Sequence, residues 1–310
     1  MFLDYNFKSD IFVNYLTIQM LQDNKKWLYL IILSIIWGSS FILIKKALIG
    51  LSPLQLGSLR IIVSGLILFL AGFKSLKKIP KKTYKWILLS GYLGTFFPAF
   101  LFAYAETEID SAVASILNSI VPINTIILGI VAFKIFSSRN QIIGVLIGFI
   151  GTVLLIANGA SINPDQNYWY AFLVIIATIN YAISVNIIKR HLQNVPAISI
   201  AVGNFVAIMI PSILILLFSG FFTSEVITSP ELPMSLLYIL LLSIFGTAIA
   251  KVLFNKLVQI STPVFASSVT YLMPVVAVMW GLLDGEGFSI WQALATGIIL
   301  LGVYLANSRK

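Results

Sequence analysis

Residues 88–122 read LLSGYLGTFFPAFLFAYAETEIDSAVASILNSIVP, and residues 240–274 read LLLSIFGTAIAKVLFNKLVQISTPVFASSVTYLMP. The two stretches align without a gap at a constant shift of 152 residues, and nine of the 35 positions are identical. The identities include Gly94/Gly246, Thr95/Thr247, Phe102/Phe254, Ala114/Ala266, Ser115/Ser267 and Pro122/Pro274. Upstream, Ile44-Lys45-Lys46-Ala47-Leu48 matches Ile188-Lys189-Arg190-His191-Leu192, and Pro53 matches Pro196. Two apolar half-chains of one design in a single polypeptide are the usual build of a membrane carrier, whose binding site lies between the halves near the bilayer midplane.

Composition agrees. Hydrophobic residues make up 59% of the 310-residue chain and charged residues 10%, against roughly 25% charged in ordinary soluble domains. Apolar runs fill the chain and leave no room for a separate soluble domain. A net charge of +9 would suit a nucleic-acid partner, but Lys and Arg cluster in alternate loops, which is how a membrane protein fixes its orientation. Cysteine is absent and His191 is the single histidine. Disulfides, thiol chemistry, Cys-based metal sites and a His cluster are therefore excluded. No cleavable signal peptide is read, because Ile11–Leu21 is too short and too polar.

Apolar runs of about 20 residues read as transmembrane helices. They fall at 27–48, 53–73, 84–105, 110–133, 141–157, 168–188, 196–219, 235–257, 262–283 and 288–307, an all-α integral membrane protein of ten spans. Sixteen Lys and Arg residues lie in the loops on the N-terminal side, against Lys45 and Lys46 opposite. Both termini are accordingly expected in the cytoplasm and the chain in the cytoplasmic membrane. Five spans per half is an odd number, so the second copy must enter inverted, related to the first by an axis in the membrane plane. The expected organisation is a flexible cytoplasmic segment 1–26, a first five-helix repeat 27–157, an outer linker 158–167 and a second repeat 168–310. Residues 1–24 have no counterpart in the second half, and Met20 is an alternative start. Pro98, Pro122, Pro211 and Pro274 lie mid-span, where each frees a backbone carbonyl and tends to kink its helix.

Several residues carry a family resemblance. They are Trp37-Gly38-Ser39-Ser40-Phe41 followed by Lys45, then Arg60, then Ala114-Ser115 with Pro122 repeated as Ala266-Ser267 with Pro274. The closing helix of each half adds Gly144 to Gly151 and Ala295 to Gly302. With these motifs in order, residues 27 to 307 resemble an EamA-type member of the drug/metabolite transporter superfamily. The resemblance implies a ten-helix carrier that moves small organic solutes such as amino acids or amines, usually outward. Lys134 stands where the family has Glu, Ala295 where it has Gly, and Gly203 where Arg60 would repeat, which leaves the substrate class open.

An ionisable group inside a bilayer costs about 2.5–3.5 kcal/mol on insertion scales, so it is a functional candidate by default. Arg60 and Lys251 are the two such groups, and each either serves the cavity or snorkels to the interface. Lys45 either attracts an anionic group at the outer mouth or is interfacial like Lys46. Trp37 either stacks on a solute or fills space between helices. Asn118, Asn180, Asn186, Tyr104, Tyr181 and Tyr271 are polar groups in or near spans, where interhelical hydrogen bonds are the commoner use. Asn118, one turn before Pro122, and Tyr271, beside Pro274, are the central cavity candidates. Glu106, Glu108, Asp110, Asp284 and Glu286 read as rim residues, so no buried carboxylate relay is expected.

No H-E-x-x-H, G-x-S-x-G or phosphate-cradling loop occurs, which argues against an enzyme and against direct use of ATP. A channel or a non-transporting receptor is the remaining alternative, and nothing in the chain repeats as a pore ring. No cofactor or metal is expected. The partners expected are a small organic solute and the lipid bilayer, with a homodimer as an option and no nucleic acid.

Overall fold

The computed structural model describes residues 24–109, 111–157, 167–283 and 289–307. The expected start at Met20, nearly all of segment 1–26 and of linker 158–167, and Asp110, Asp284 and Glu286 lie outside these residues. Helices α1 (Asn24–Ala47), α2 (Pro53–Gly72), α3 (Lys81–Ala105), α4 (Ala114–Phe133) and α5 (Arg139–Ala157) come first. Then follow α6 (Ala171–His191), α7 (Ala197–Phe218), α8 (Leu232–Ile260), α9 (Pro263–Val276) and α10 (Ile290–Asn307). No strand occurs among the described residues.

Seven of these helices are long and apolar enough to cross a membrane; α5, α9 and α10 are apolar but shorter over the stretches that qualify. Leu70, Val131 and Phe218 are at least three-quarters exposed. Large apolar residues stand exposed along nearly every helix, where a soluble monomer keeps such patches small. Lipid is the solvent for this surface, and the chain is a multi-pass, all-α membrane protein.

Local chemistry sets the helix ends. Ser52 and Gln55 form a reciprocal capping box ahead of Pro53, at the position where a missing N–H costs nothing. Thr262 caps α9 before Pro263, its Oγ1 accepting from Phe265 N. Lys189 Nζ donates to the carbonyls of Val258, Gln259 and Ser261, satisfying the open end of α8. Gln259 Nε2 returns the favour to Leu192 and Val195 beyond the end of α6. Helix ends left bare in a bilayer would cost several kcal/mol per group.

Breaks within the helices shape the interior more than their ends do. In α1, Ser39 and Ser40 turn their hydroxyls back onto the carbonyls of Ile35 and Ile36, which bends a helix. In α4 the helix breaks at Ser119–Ile120, just before Pro122. In α9 it breaks at Ser268, ahead of Pro274. Both α3 and α8 contain a π turn, at Tyr92–Phe96 and Leu242–Ile249. Adding 152 to the first range gives 244–248, inside the second.

Helix α5 packs on α10 and α2 on α7, while α3 meets α6 and α8 meets α1. The α5–α10 contact is made of glycine. A Cβ placed on Gly302 would stand 2.6 Å from the Cα of Gly148 and 2.7 Å from the Gly144 carbonyl oxygen. This is the close backbone approach that small residues permit inside membranes. The sequence placed Glu106 at the rim, but it is only 4% exposed. Backbone bonds from Glu106 N to Phe102 O and from Ile109 N to Ala105 O wind the chain one turn beyond Ala105.

Candidate functional site

Six of the helices enclose one cavity, with α2 adding a single residue, Arg60. It contains about 990 Å³ of atom-free space, open solvent at its mouth included. Lining residues come from α1, α3 and α4 on one side and from α6, α8 and α9 on the other. Helices α5, α7 and α10 contribute none.

Gly94 and Gly246, Thr95 and Thr247, Ala99 and Lys251, and Phe102 and Phe254 all face this space, each pair 152 residues apart. Asn118 and Thr270, and Val121 and Met273, obey the same shift. On α1 and α6 the shift is 144, the register of the Ile44/Ile188 match: Trp37 with Tyr181, Ser40 with Ser184, Phe41 with Val185. Equivalent positions of the two sequence copies thus form most of the wall.

The π turns supply its polar backbone. Pro98 has no N–H to offer the carbonyl of Gly94, four residues earlier. Lys251 Nζ takes that oxygen at 2.8 Å. In the other copy Trp37 Nε1 donates to the Gly246 carbonyl at 2.9 Å, and its ring lies 5.1 Å from that of Phe254. Arg60 Nε donates to Thr247 Oγ1 at 2.8 Å. Two polar atoms of the wall, Thr95 Oγ1 and Asn118 Oδ1, are buried and have no hydrogen-bond partner among the described residues. Such groups cost about 1–3 kcal/mol each unless something satisfies them.

Of the positions singled out in the sequence, Trp37, Arg60, Asn118, Tyr181 and Lys251 meet in the cavity, and Lys251 is only 7% exposed. Lys45, Pro122, Asn180, Tyr271 and Pro274 do not line it. Lys45 is exposed on the outer face of α1, and Asn180 is half-buried beside Tyr181. Pro122 and Pro274 are buried, but the residues one turn before them, Asn118 and Thr270, face the space. Tyr271 is fully buried elsewhere: its hydroxyl donates to the Val145 carbonyl at 2.8 Å, and its ring covers Gly148. Asn186 is likewise committed to the core, donating to the carbonyls of Thr125 and Ala182. Thr95, Thr247, Ser184 and Thr270 were not singled out, although the Gly-Thr identity of the repeat marks the first two.

Tyr271 therefore gives a structural expectation. Tyr271→Phe should lower the unfolding free energy of the purified protein by about 1 kcal/mol, the net value of one hydrogen bond, and leave solute binding in the cavity unchanged. Denaturant titration with and without a bound solute measures both.

Comparison with known proteins agrees with this architecture. The model of the EamA-like transporter family matches residues 24–157 and again residues 168–308. The inner membrane transporter YedA of Escherichia coli K12 is 27% identical over 283 residues, covering 90% of this chain and 89% of that one. An S-adenosylmethionine/S-adenosylhomocysteine transporter of Chlamydia muridarum is 26% identical, covering 87% of each. A solved crystal structure shares the fold with a TM-score of 0.69 at 17% identity, over 91% of this chain and 96% of that one.

Proposed function

The chain belongs to the EamA-like transporter family, and from that premise we propose that it is a secondary carrier of small organic solutes, working by alternating access. The observation that carries the reading is the cavity wall, built from matched positions of the two sequence copies. Two copies related by an in-plane axis can exchange conformations, which turns a cavity open on one side into a cavity open on the other. The doubled family match and the contacts of α5 with α10 and of α2 with α7 support the same reading. In it, ten helices form two inverted halves, 27–157 and 168–310, with both termini in the cytoplasm. The direction is export from the cytoplasm, as the resemblance implies. The Chlamydia relative named for S-adenosylmethionine and S-adenosylhomocysteine supports a small metabolite as cargo.

The decisive experiment is counterflow. Purified protein in liposomes loaded with unlabelled solute should transiently accumulate the labelled solute and saturate with its concentration. A channel would do neither. A growth screen of an overexpressing strain against toxic amino acids and amines would supply the first solutes.

The native absence of cysteine allows a site test in the same preparation. Cysteines introduced at 118 and 270 should react with small thiol reagents, and a counterflow-active solute should protect both. Cysteine at 271, one residue away but fully buried, should stay silent. In intact cells, position 78 should be shielded from an impermeant reagent. Labelling there from outside would reverse the orientation, and unprotected 118 and 270 would displace the solute from this cavity.

A further inference from the structure

The described wall of the cavity carries two cationic side chains and no acidic one. The cations are Arg60 and Lys251, and no lining residue is His. Lys251 Nζ gives one hydrogen bond, to Gly94 O, and keeps further N–H donors. Arg60 commits Nε to Thr247, and its terminal amino groups make no hydrogen bond to the described residues. Tyr181 in the wall and Glu106 just outside it both act electrostatically on Arg60. The charge that acts on Lys251 is that of Arg60. A buried cation whose electrostatic neighbour is a second cation is a costly arrangement in an apolar setting. It becomes favourable when an anion enters.

The two cations also stand where the sequence repeat fails. Lys251 is opposite Ala99 and Arg60 opposite Gly203, whereas every other matched pair in the wall is uncharged. The shared frame supplies a neutral, aromatic-sided space, and these two substitutions give it a sign. Trp37, Phe41, Phe102 and Phe254 provide an apolar surface beside them.

We propose that the cavity selects solutes with an anionic head, a carboxylate or a phosphate, which docks between Arg60 and Lys251 while an apolar body lies against the aromatic side chains. Thr95 Oγ1 is a further donor for the head, and the unpartnered Asn118 Oδ1 accepts from a hydroxyl or N–H on the body. Amino acids remain within this class through their carboxylate. Amines that lack an anionic group fall outside it. This assignment rests on the carrier reading and narrows its cargo.

Four probes of similar shape test it on the purified full chain: 3-phenylpropionate, phenyl phosphate, 3-phenylpropionamide and phenethylamine. Binding is measured by calorimetry, and counterflow is run with the same probes. One or both anions should bind roughly 10- to 100-fold more tightly than the amide, the range of a hydrogen bond to a charged group, and the amine more weakly still. Whichever anion leads names the head. Lys251→Met should bring the leading anion down to the level of the amide, whereas Lys251→Arg should keep the preference. The wild-type ranking decides the matter even if the Met variant fails to fold. Amide or amine binding as tight as the anions, or binding of neither anion, overturns anion selectivity. If anions bind but no probe shows counterflow, the carrier reading falls and the anion site stands.

Discussion

Gly302→Val should leave almost no folded protein in the membrane. A Cβ at this position already overlaps the backbone nitrogen of Gly148 and stands 2.6 Å from its Cα. Those atoms belong to the backbone of α5, so no rotamer change can relieve the clash. The two helices would have to separate along the whole contact. Overpacking costs roughly 1–3 kcal/mol when side chains can adjust, and here they cannot, so the effect lies at or above the top of that range. Gly297→Ala, on the same helix, meets nothing within 4 Å and should be tolerated. Fluorescence-detected size-exclusion chromatography of both variants reads the contrast. Equal, monodisperse yields would mean that α5 and α10 do not touch as described.

Arg60→Ala should abolish most transport while the protein stays at normal abundance. Arg60 reaches across from α2 to Thr247 on the π turn of α8, and its terminal amino groups point to no other described hydrogen-bond partner. Losing a charge-assisted contact to the solute should lower transport by about 10- to 100-fold. Arg60→Lys should rescue poorly, because an ammonium lacks the planar five-donor fork of a guanidinium. Initial rates of solute uptake into liposomes, normalised to protein, measure this. Transport at the wild-type rate in the Ala variant would return Arg60 to the role of a snorkelling side chain.

Much of this molecule is legible in its sequence because lipid simplifies the code. Apolar runs locate helices, and the span read from Pro53 starts at that residue. Some of the site's residues were also legible: Trp37, Arg60, Asn118, Tyr181 and Lys251 are conspicuous in an apolar chain, and they share one cavity. Rotation about the helix axis was not. Lys45, Pro122, Asn180, Tyr271 and Pro274 are each one residue away from a lining residue, namely Ile44, Val121, Tyr181, Thr270 and Met273. One residue turns a helix by about 100°, enough to move a side chain from the cavity to a packing face. A helix that is apolar all round has no amphipathic phase from which to read that angle. The break at Ser268 and the π turns shift the phase again within a single span. The burial of Glu106 is hidden in the sequence for a related reason, since the extra turn after Ala105 leaves no mark in composition.

The π turns have a mechanical meaning of their own. Each stores a spare residue in a helix, so that α3 and α8 hold their slack at the depth of the cavity. The oxygen at each such place is already tied to a side chain from another helix: Gly94 to Lys251 and Gly246 to Trp37. A twist taken up in α3 would draw the ammonium along with it, and a twist in α8 would draw the indole. The wall is in this sense geared, with its charge and its largest ring coupled to the winding of the backbone.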